Sequence, residues 1–145
     1  MTTDGQLVVV GVDGSAESVA ALKWAAAYAA ATGSRVRAVM AWHYPAAYGA
    51  APVGVAPAAV TDEVREQMTE ALAKSVTEAG AGAEIEQEIG YGHPAQVLVD
   101  QSASADLLVV GNRGHGAFTG MMVGSVSIHC VTHAHCPVVV VRSDA

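Results

Sequence analysis

The sequence predicts a doubly wound α/β fold, in which a five-stranded parallel sheet of order 3-2-1-4-5 carries helices on both faces in a Rossmann-like arrangement. First, short apolar runs alternate regularly with longer segments of helical periodicity. Second, the run from Leu7 to Val12 is continuously apolar, as expected of a central strand that is covered on both faces. Third, glycine-bearing turns follow the first and the fourth runs, and this strand order brings the two turns together.

The first part of the chain predicts a strand, a helix and a second strand. Leu7 to Val12 forms the first strand. The alanine-rich segment from Ser15 to Ala31 has apolar residues at helical spacing, with Ser15 suited to the N-cap position and Gly33 able to end the helix. Arg35 to Trp42 alternates between two faces and predicts the second strand.

A long loop and an amphipathic helix come next. His43 to Pro57 holds three prolines and two glycines, which predicts a long loop. Two interpretations of this loop remain open: a lid or binding loop, and a disordered surface segment. In Ala58 to Ala79, apolar residues recur every four positions and predict a helix. Ala83 to Ile89 alternates strictly with glutamates, which predicts an exposed edge strand whose charges discourage aggregation.

The last part of the chain predicts two more helices and two more strands. Pro94 suits the first turn of a short helix that runs to about Ser102. The fourth strand is Asp106 to Val110, and a helix from Val126 to about Ala134 follows it. Pro137 to Arg142 is the fifth strand.

The composition predicts one globular domain over residues 1–145. Apolar residues make up 52% of the chain and charged residues 14%, unlike a disordered segment. Acidic residues number 14 against seven Lys and Arg, and the net charge of −7 argues against DNA or RNA as the main partner. A bound phosphate would therefore be held mostly by backbone N–H groups or a metal ion, with Arg113 the only basic side chain near the glycines.

The sequence also predicts a cytoplasmic protein with no membrane partner. No apolar run reaches the roughly 18 residues that span a bilayer. Met1 to Asp4 lacks the basic start and apolar stretch of a signal peptide. Cys130 and Cys136 are accordingly expected to be reduced and buried rather than joined in a disulfide.

Two glycine-bearing turns predict the functional site. The first, Gly11 to Ser15, leaves the first strand, and the second, Gly111 to Gly114, leaves the fourth. Nine residues separate Gly114 from the pair Gly124-Ser125, which falls near a helix N-terminus, where free N–H groups attract anions. Asp13-Gly14-Ser15 alone is also a common turn and helix cap. Its position opposite the second turn favours a nucleotide site.

Together these turns resemble those of the universal stress protein family, in its ATP-binding branch. The likeness covers nearly the whole chain, since His93-Pro94-Ala95 resembles the start of the family's third helix and Cys136 to Arg142 resembles its last strand. The resemblance implies the adenine nucleotide alpha hydrolase-like version of the fold and an ATP-binding, stress-response protein. AMP or cyclic AMP is left open as the ligand, with Mg²⁺ or Mn²⁺ as an accompanying ion.

The resemblance also implies roles for individual residues. Asp13 would lie near the ribose or a nucleotide-bound divalent ion, and backbone around Met40 and Ala41 would face the base. Gly124 and the Ser125 hydroxyl would complete a phosphate cradle. The full set of expected nucleotide-binding residues is Gly11, Val12, Asp13, Ser15, Met40, Ala41, Gly111, Asn112, Arg113, Gly114, His115, Gly116, Gly124, Ser125 and Val126.

Two other nucleotide signatures are missing. The chain has neither the lysine-bearing phosphate loop of P-loop proteins nor the Gly-x-Gly-x-x-Gly turn of dinucleotide sites, so a mononucleotide is expected. Efficient phosphoryl transfer needs positioned charge, a metal and an oriented nucleophile, and no catalytic residue is assigned. A slow metal-dependent ATP hydrolase and a nucleotide-independent interaction protein remain the alternatives to a nucleotide-dependent regulator with an unknown protein partner.

Two further features of the C-terminal part carry predictions. Val138 to Val141 is apolar like a buried strand, although the predicted order places it at a sheet edge, so a twofold partner is expected to pair there as a homodimer. The resemblance implies the same homodimer. A cluster of five residues invites a metal interpretation, namely His129, Cys130, His133, His135 and Cys136. Zinc sites usually draw paired ligands from two segments, however, and a structural role is favoured.

Overall fold

A computed structural model describes residues 6–42, 57–80, 84–112 and 124–142, with side chains of the second helix described from residue 62. Strands and helices alternate along the described chain. The strands are β1 (Leu7–Gly11), β2 (Arg35–Trp42), β3 (Ile85–Tyr91), β4 (Leu107–Gly111) and β5 (Val138–Val141), and the helices are α1 (Ala16–Thr32), α2 (Pro57–Glu78), α3 (Pro94–Ser102) and α4 (Ser125–His133).

The five strands form one parallel sheet of order β3-β2-β1-β4-β5. This confirms the predicted doubly wound order. In the register, Val10 of β1 lies beside Ala38 of β2 on one side and Val109 of β4 on the other. The strand order therefore reverses between β1 and β4, which places a crevice at their carboxyl ends.

Helices cover both faces of the sheet. Residues of α1 and α2, such as Leu22 and Leu72, pack against one face, while residues of α3 and α4, such as Leu98 and Cys130, pack against the other. In the middle of β1, Val9 and Val10 are each 0% exposed although they face opposite sides. Burial on both faces explains why the central strands are continuous apolar runs rather than alternating ones.

The helix ends follow the signals in the sequence. The Ser15 side chain accepts a hydrogen bond from the Ser18 backbone N–H at 3.2 Å and caps α1. Gly33 adopts a φ of 76°, which suits glycine, and its N–H donates to the Ala29 carbonyl at 2.7 Å. Pro57 begins α2, one residue earlier than predicted, because proline fits the first turn of a helix.

The two edge strands differ from the sequence prediction, β3 in its last residue and β5 in its burial. β3 continues through Tyr91, two residues past the predicted end, because it stays paired with β2 as far as Trp42. Gly90 had ended the alternating pattern on which the prediction was based. The four residues of β5 are all half-buried, which fits an apolar strand at the sheet edge.

Three stretches of the predicted scheme lie outside the described residues. They are most of the loop predicted from His43 to Pro57, the first predicted residue of the third strand, Ala83, and the segment that joins Asn112 to Gly124. Within the described part of the chain, no helix combines the length and apolar character that a bilayer crossing requires.

Candidate functional site

The candidate site lies where β1, β2 and β4 end. Gly11, the last residue of β1, aligns with Val39 of β2, and the next backbone N–H, that of Val12, donates to the Val39 carbonyl at 2.9 Å. On the other side of β1, the end of β4 lies beside β5, with Gly111 aligned with Val141. The turns that follow Gly11 and Gly111 therefore leave neighbouring strands at one edge of the sheet, as predicted.

The turn after β1 is held by Asp13. Its Oδ1 atom accepts hydrogen bonds from the Ser15 backbone N–H, at 3.0 Å, and from the Ser15 hydroxyl. Gly14 has a φ of 86°, a left-handed conformation that side-chain-bearing residues rarely adopt. Asp13 itself is exposed at the carboxyl edge of the sheet. Asp13 thus shapes the turn while remaining exposed at this edge.

The Ser18 side chain ties this turn to the first turn of α1. Its hydroxyl accepts from the Asp13 backbone N–H at 3.3 Å and donates to the Ser15 carbonyl at 2.9 Å. Sequence reasoning missed Ser18, which is buried. The available signal was its position three residues after a serine N-cap, where a small hydroxyl can fold back onto the turn.

The end of β4 and the start of α4 are pinned together. The Gly124 backbone N–H donates to the Asn112 carbonyl at 2.6 Å, and the Ser127 hydroxyl donates to the Gly111 carbonyl. The prediction placed Gly124-Ser125 near a helix N-terminus, and α4 indeed begins at Ser125 with Gly124 as its N-cap. Gly124 offers no side-chain cap, so the first N–H groups of α4 lack that partner.

Gly111 has a packing role that the sequence did not reveal. A Cβ atom at this position would lie 2.9 Å from the backbone carbon, the carbonyl oxygen and the Cβ of Glu17 in α1. The first turn of α1 therefore passes directly over the end of β4. Gly11 is also tightly packed, but a Cβ there would meet the end of a side chain, Leu98 Cδ1, at 2.6 Å.

Asn112 carries an unsatisfied atom. Its Oδ1 is buried and has no hydrogen-bond partner among the described residues. Buried polar atoms in native proteins usually have a partner, so an acceptor left open at a ligand crevice suits a donor supplied by the ligand.

The end of β2 contributes backbone rather than side chains. Met40 is 6% exposed and its side chain packs into the core with Val12, whereas Ala41 is half-buried on the other face of the sheet. Their main chain reaches the carboxyl edge, as the prediction for the base position requires.

A small cavity of about 130 Å³ lies at the same edge, further towards β3. It is lined by Trp42, Arg65, Ile89, Gly90 and Tyr91, and the Trp42 and Tyr91 rings lie 5.0 Å apart between centroids at a tilt of 48°. Sequence reasoning placed Trp42 at the end of the second strand and gave no role to Tyr91 or Arg65. The alignment of Tyr91 with Trp42 follows from strand register, which one sequence does not specify.

The sequence expectation named Arg113 as the only basic side chain near the glycines, and the structure adds Arg142 at the same edge of the sheet. Arg142 directly follows β5, and the preceding carbonyl, that of Val141, accepts a hydrogen bond from the Asn112 backbone N–H at 2.9 Å. Arg142 is exposed at this edge. The remaining predicted site residues of the second turn, namely Arg113, Gly114, His115 and Gly116, lie outside the described residues.

The two cysteines are free thiols, and Cys130 is buried while Cys136 is only partly so. Burial raises the pKa of the Cys130 thiol to about 11, and burial together with the Asp106 carboxylate raises that of Cys136. Neither thiol is therefore activated as a nucleophile. Among the described residues, no group of three or more His, Cys, Asp or Glu is arranged to hold a metal ion.

The raised Cys130 pKa predicts a loss of stability in alkali. The unfolded chain loses this proton near pH 9.0, whereas the folded protein keeps it until about pH 11. Since the unfolded state then binds fewer protons, the free energy of unfolding falls as pH rises through this window. Urea unfolding of the protein and of Cys130→Ala across that range should give a shallower fall in the variant, and equal slopes would contradict the assignment.

The chain matches the universal stress protein family over residues 6–142. A universal stress protein of Mycolicibacterium smegmatis is 37% identical over 142 residues, which make up 94% of this chain and 48% of that protein. The chain thus spans about half the length of the curated relatives it matches.

Solved structures resemble the chain over nearly its whole length. A crystal structure of a universal stress protein in complex with cAMP is 29% identical, with a TM-score of 0.70, and the match covers 98% of this chain and 100% of that one. An Arabidopsis thaliana universal stress protein family protein with AMP bound is 22% identical, with a TM-score of 0.64 and coverage of 97% and 93%. The second likeness shows the fold alone.

Proposed function

This chain belongs to the universal stress protein family, and on that premise we propose that it binds an adenine nucleotide at the carboxyl ends of β1 and β4. The observation that carries the proposal is the placement of the α4 N-terminus. The bond from the Gly124 N–H to the Asn112 carbonyl holds that N-terminus beside the end of β4, within the crevice that the strand order creates. The Asp13 turn leaves the neighbouring strand.

The phosphate groups would bind at the start of α4. A helix N-terminus carries partial positive charge and N–H groups that have no partner inside the helix, and here the N-cap residue, Gly124, has no side chain to cap them. The Gly124 N–H already donates to Asn112, so the donors on offer are those of the residues that follow it, Ser125 and Val126. The Ser125 hydroxyl is exposed beside them, and Arg142 adds a cation to a protein of net charge −7.

The nucleoside would lie across the ends of β1 and β2. Asp13 is exposed and suits the ribose hydroxyls, while main chain at Met40 and Ala41 would border the base. The buried Asn112 Oδ1 is an acceptor that a ribose hydroxyl or the adenine amino group would satisfy. Gly114, between Asn112 and Gly124 in the sequence, is among the nucleotide-binding residues that the family resemblance implies.

The nucleotide is proposed as AMP, cyclic AMP or ATP. A similar protein, 29% identical, has been crystallised with cAMP, which supports an adenine mononucleotide. For ATP, a Mg²⁺ or Mn²⁺ ion on the phosphates would be balanced by Asp13. We further propose that occupancy regulates a cytoplasmic homodimer formed through β5, whose four valines are only half-buried at the sheet edge.

Gly114→Val tests the proposal. A ligand that binds only the folded state stabilises it in proportion to the logarithm of its concentration above Kd. AMP, cAMP and ATP are each added to the protein and to the variant, with and without Mg²⁺, and the unfolding temperature is measured. At least one nucleotide should raise the unfolding temperature of the unmodified protein and leave that of the variant unchanged. The nucleotide-free unfolding temperatures of the two serve as the folding control, and an equal rise in both would contradict the assignment of this turn.

A further inference from the structure

A pair of histidines occupies the C-terminal part of α4, away from the proposed nucleotide site. His129 and His133 are separated by one helical turn, and their ring centroids lie 4.5 Å apart at a tilt of 45°. His129 is half-buried and His133 is exposed, so solvent reaches the pair. At a rise of about 1.5 Å per residue, His133 lies roughly 12 Å along the helix from Ser125, where phosphate binding is proposed.

The separation of the two rings suits a shared metal ion. A zinc–nitrogen bond is about 2.0–2.1 Å long, so two nitrogens on one tetrahedral ion are roughly 3.3 Å apart. Rings whose centroids are 4.5 Å apart can present nitrogens at that spacing through side-chain rotation, with the helix backbone unchanged. Imidazole is a common ligand of divalent zinc and copper.

We propose that His129 and His133 form a two-point chelate for a divalent transition-metal ion of the Zn²⁺ or Cu²⁺ type. The position at the end of α4 favours a cation, because carbonyl groups without partners give this end partial negative charge. The chain's net charge of −7 acts in the same direction. Water or a further donor would complete the coordination of the ion.

The neighbouring candidate ligands are arranged differently. Cys130 lies within the α3 and α4 side of the core and is 0% exposed, so its sulfur does not share the exposed histidine face. His135 follows the helix, with its backbone N–H bonded to the Ser102 hydroxyl at 2.9 Å. His135 is exposed and lies only two residues from His133, which makes it a matched control.

Calorimetric titration of the tag-free protein with Zn²⁺ and with Cu²⁺ tests the chelate. Two ligands held on one helix act together, since the second nitrogen binds at a high effective concentration. His129→Ala and His133→Ala should each weaken binding at least about tenfold, whereas His135→Ala should keep the affinity within about twofold. Unchanged affinity in either pair variant, an equal loss in His135→Ala, or no binding to the unmodified protein would overturn the proposal.

A spectroscopic measurement makes the test independent of any variant. The electron paramagnetic resonance spectrum of the protein with less than one equivalent of Cu²⁺ should contain coupling to two imidazole nitrogens. Coupling to only one nitrogen, or a thiolate-to-copper charge-transfer band in the absorption spectrum, would place the ion elsewhere. Circular dichroism of the metal-free variants checks that α4 still forms. If the histidine rings merely pack together and bind no metal, the variants will have the same metal affinity as the unmodified protein.

Discussion

Gly111→Ala is expected to lower the free energy of unfolding by about 1–3 kcal/mol, the usual effect of forcing an extra methyl group into a packed interior. The added Cβ would lie 2.9 Å from the Glu17 backbone carbon and carbonyl oxygen. Backbone of a helix cannot rotate away as a side chain does, so α1 and β4 must move apart. Urea unfolding followed by circular dichroism measures the loss.

Gly11→Ala is the matched control, because it adds the same methyl group at the end of the neighbouring strand. There the new Cβ meets Leu98 Cδ1 at 2.6 Å, which is the far end of a flexible side chain. We expect a smaller loss of stability than for Gly111→Ala. Equal losses in the two variants, or no loss in Gly111→Ala, would contradict the close approach of α1 to β4. Nucleotide affinity should also fall more in Gly111→Ala, because moving α1 displaces the Asp13 turn from Asn112.

Val140→Pro is expected to convert the proposed homodimer into a monomer. The Pro137 carbonyl, just before β5, accepts from the Leu108 N–H of β4, and the Val141 carbonyl accepts from the N–H of Asn112, which follows β4. In a parallel pair, alternate residues of a strand bond to one neighbour, so Val138 and Val140 direct their backbone groups towards the open edge. Proline at residue 140 removes an outward donor and leaves the bonds to β4 in place.

Light scattering coupled to size-exclusion chromatography measures the change in mass, with Val140→Thr as the control that keeps the backbone N–H. The proline variant should require at least about tenfold more protein to dimerise, since each protomer loses one edge donor and the two lost hydrogen bonds are worth roughly 1 kcal/mol each. A dimer of unchanged strength in Val140→Pro would place the interface elsewhere. The exposed Ile128 and Val131 of α4 would then be the next surface to test.

The fold could be predicted from the sequence because its signals are local. Continuous apolar runs mark central strands, Ser15 and Gly33 mark the ends of α1, and Pro94 marks the start of α3. The predicted strand ends were wrong where pairing with a neighbouring strand decides how far a strand extends. β3 reaches Tyr91 because β2 extends beside it to Trp42, and no pattern within β3 encodes its partner's length.

The candidate site was only partly predictable. The two turns and the helix start at Ser125 are readable, because glycine, aspartate and serine have specific backbone uses. The packing of Gly111 against Glu17 and the placement of Arg142 beside Asn112 depend on contacts between residues far apart in the chain. The sequence does not distinguish a glycine that allows close backbone packing from a glycine that allows a ligand to approach. The structure shows that Gly111 has the packing role.

Isothermal titration of the unmodified protein with AMP, cAMP and ATP, and with GMP as the base control, tests the central claim most directly. The proposed site predicts binding of at least one adenine nucleotide, about one per chain, and weaker binding of GMP. Saturable binding with that preference would support a nucleotide-responsive protein. No measurable binding of any adenine nucleotide, with or without Mg²⁺, would contradict the proposed function and favour a nucleotide-independent interaction protein.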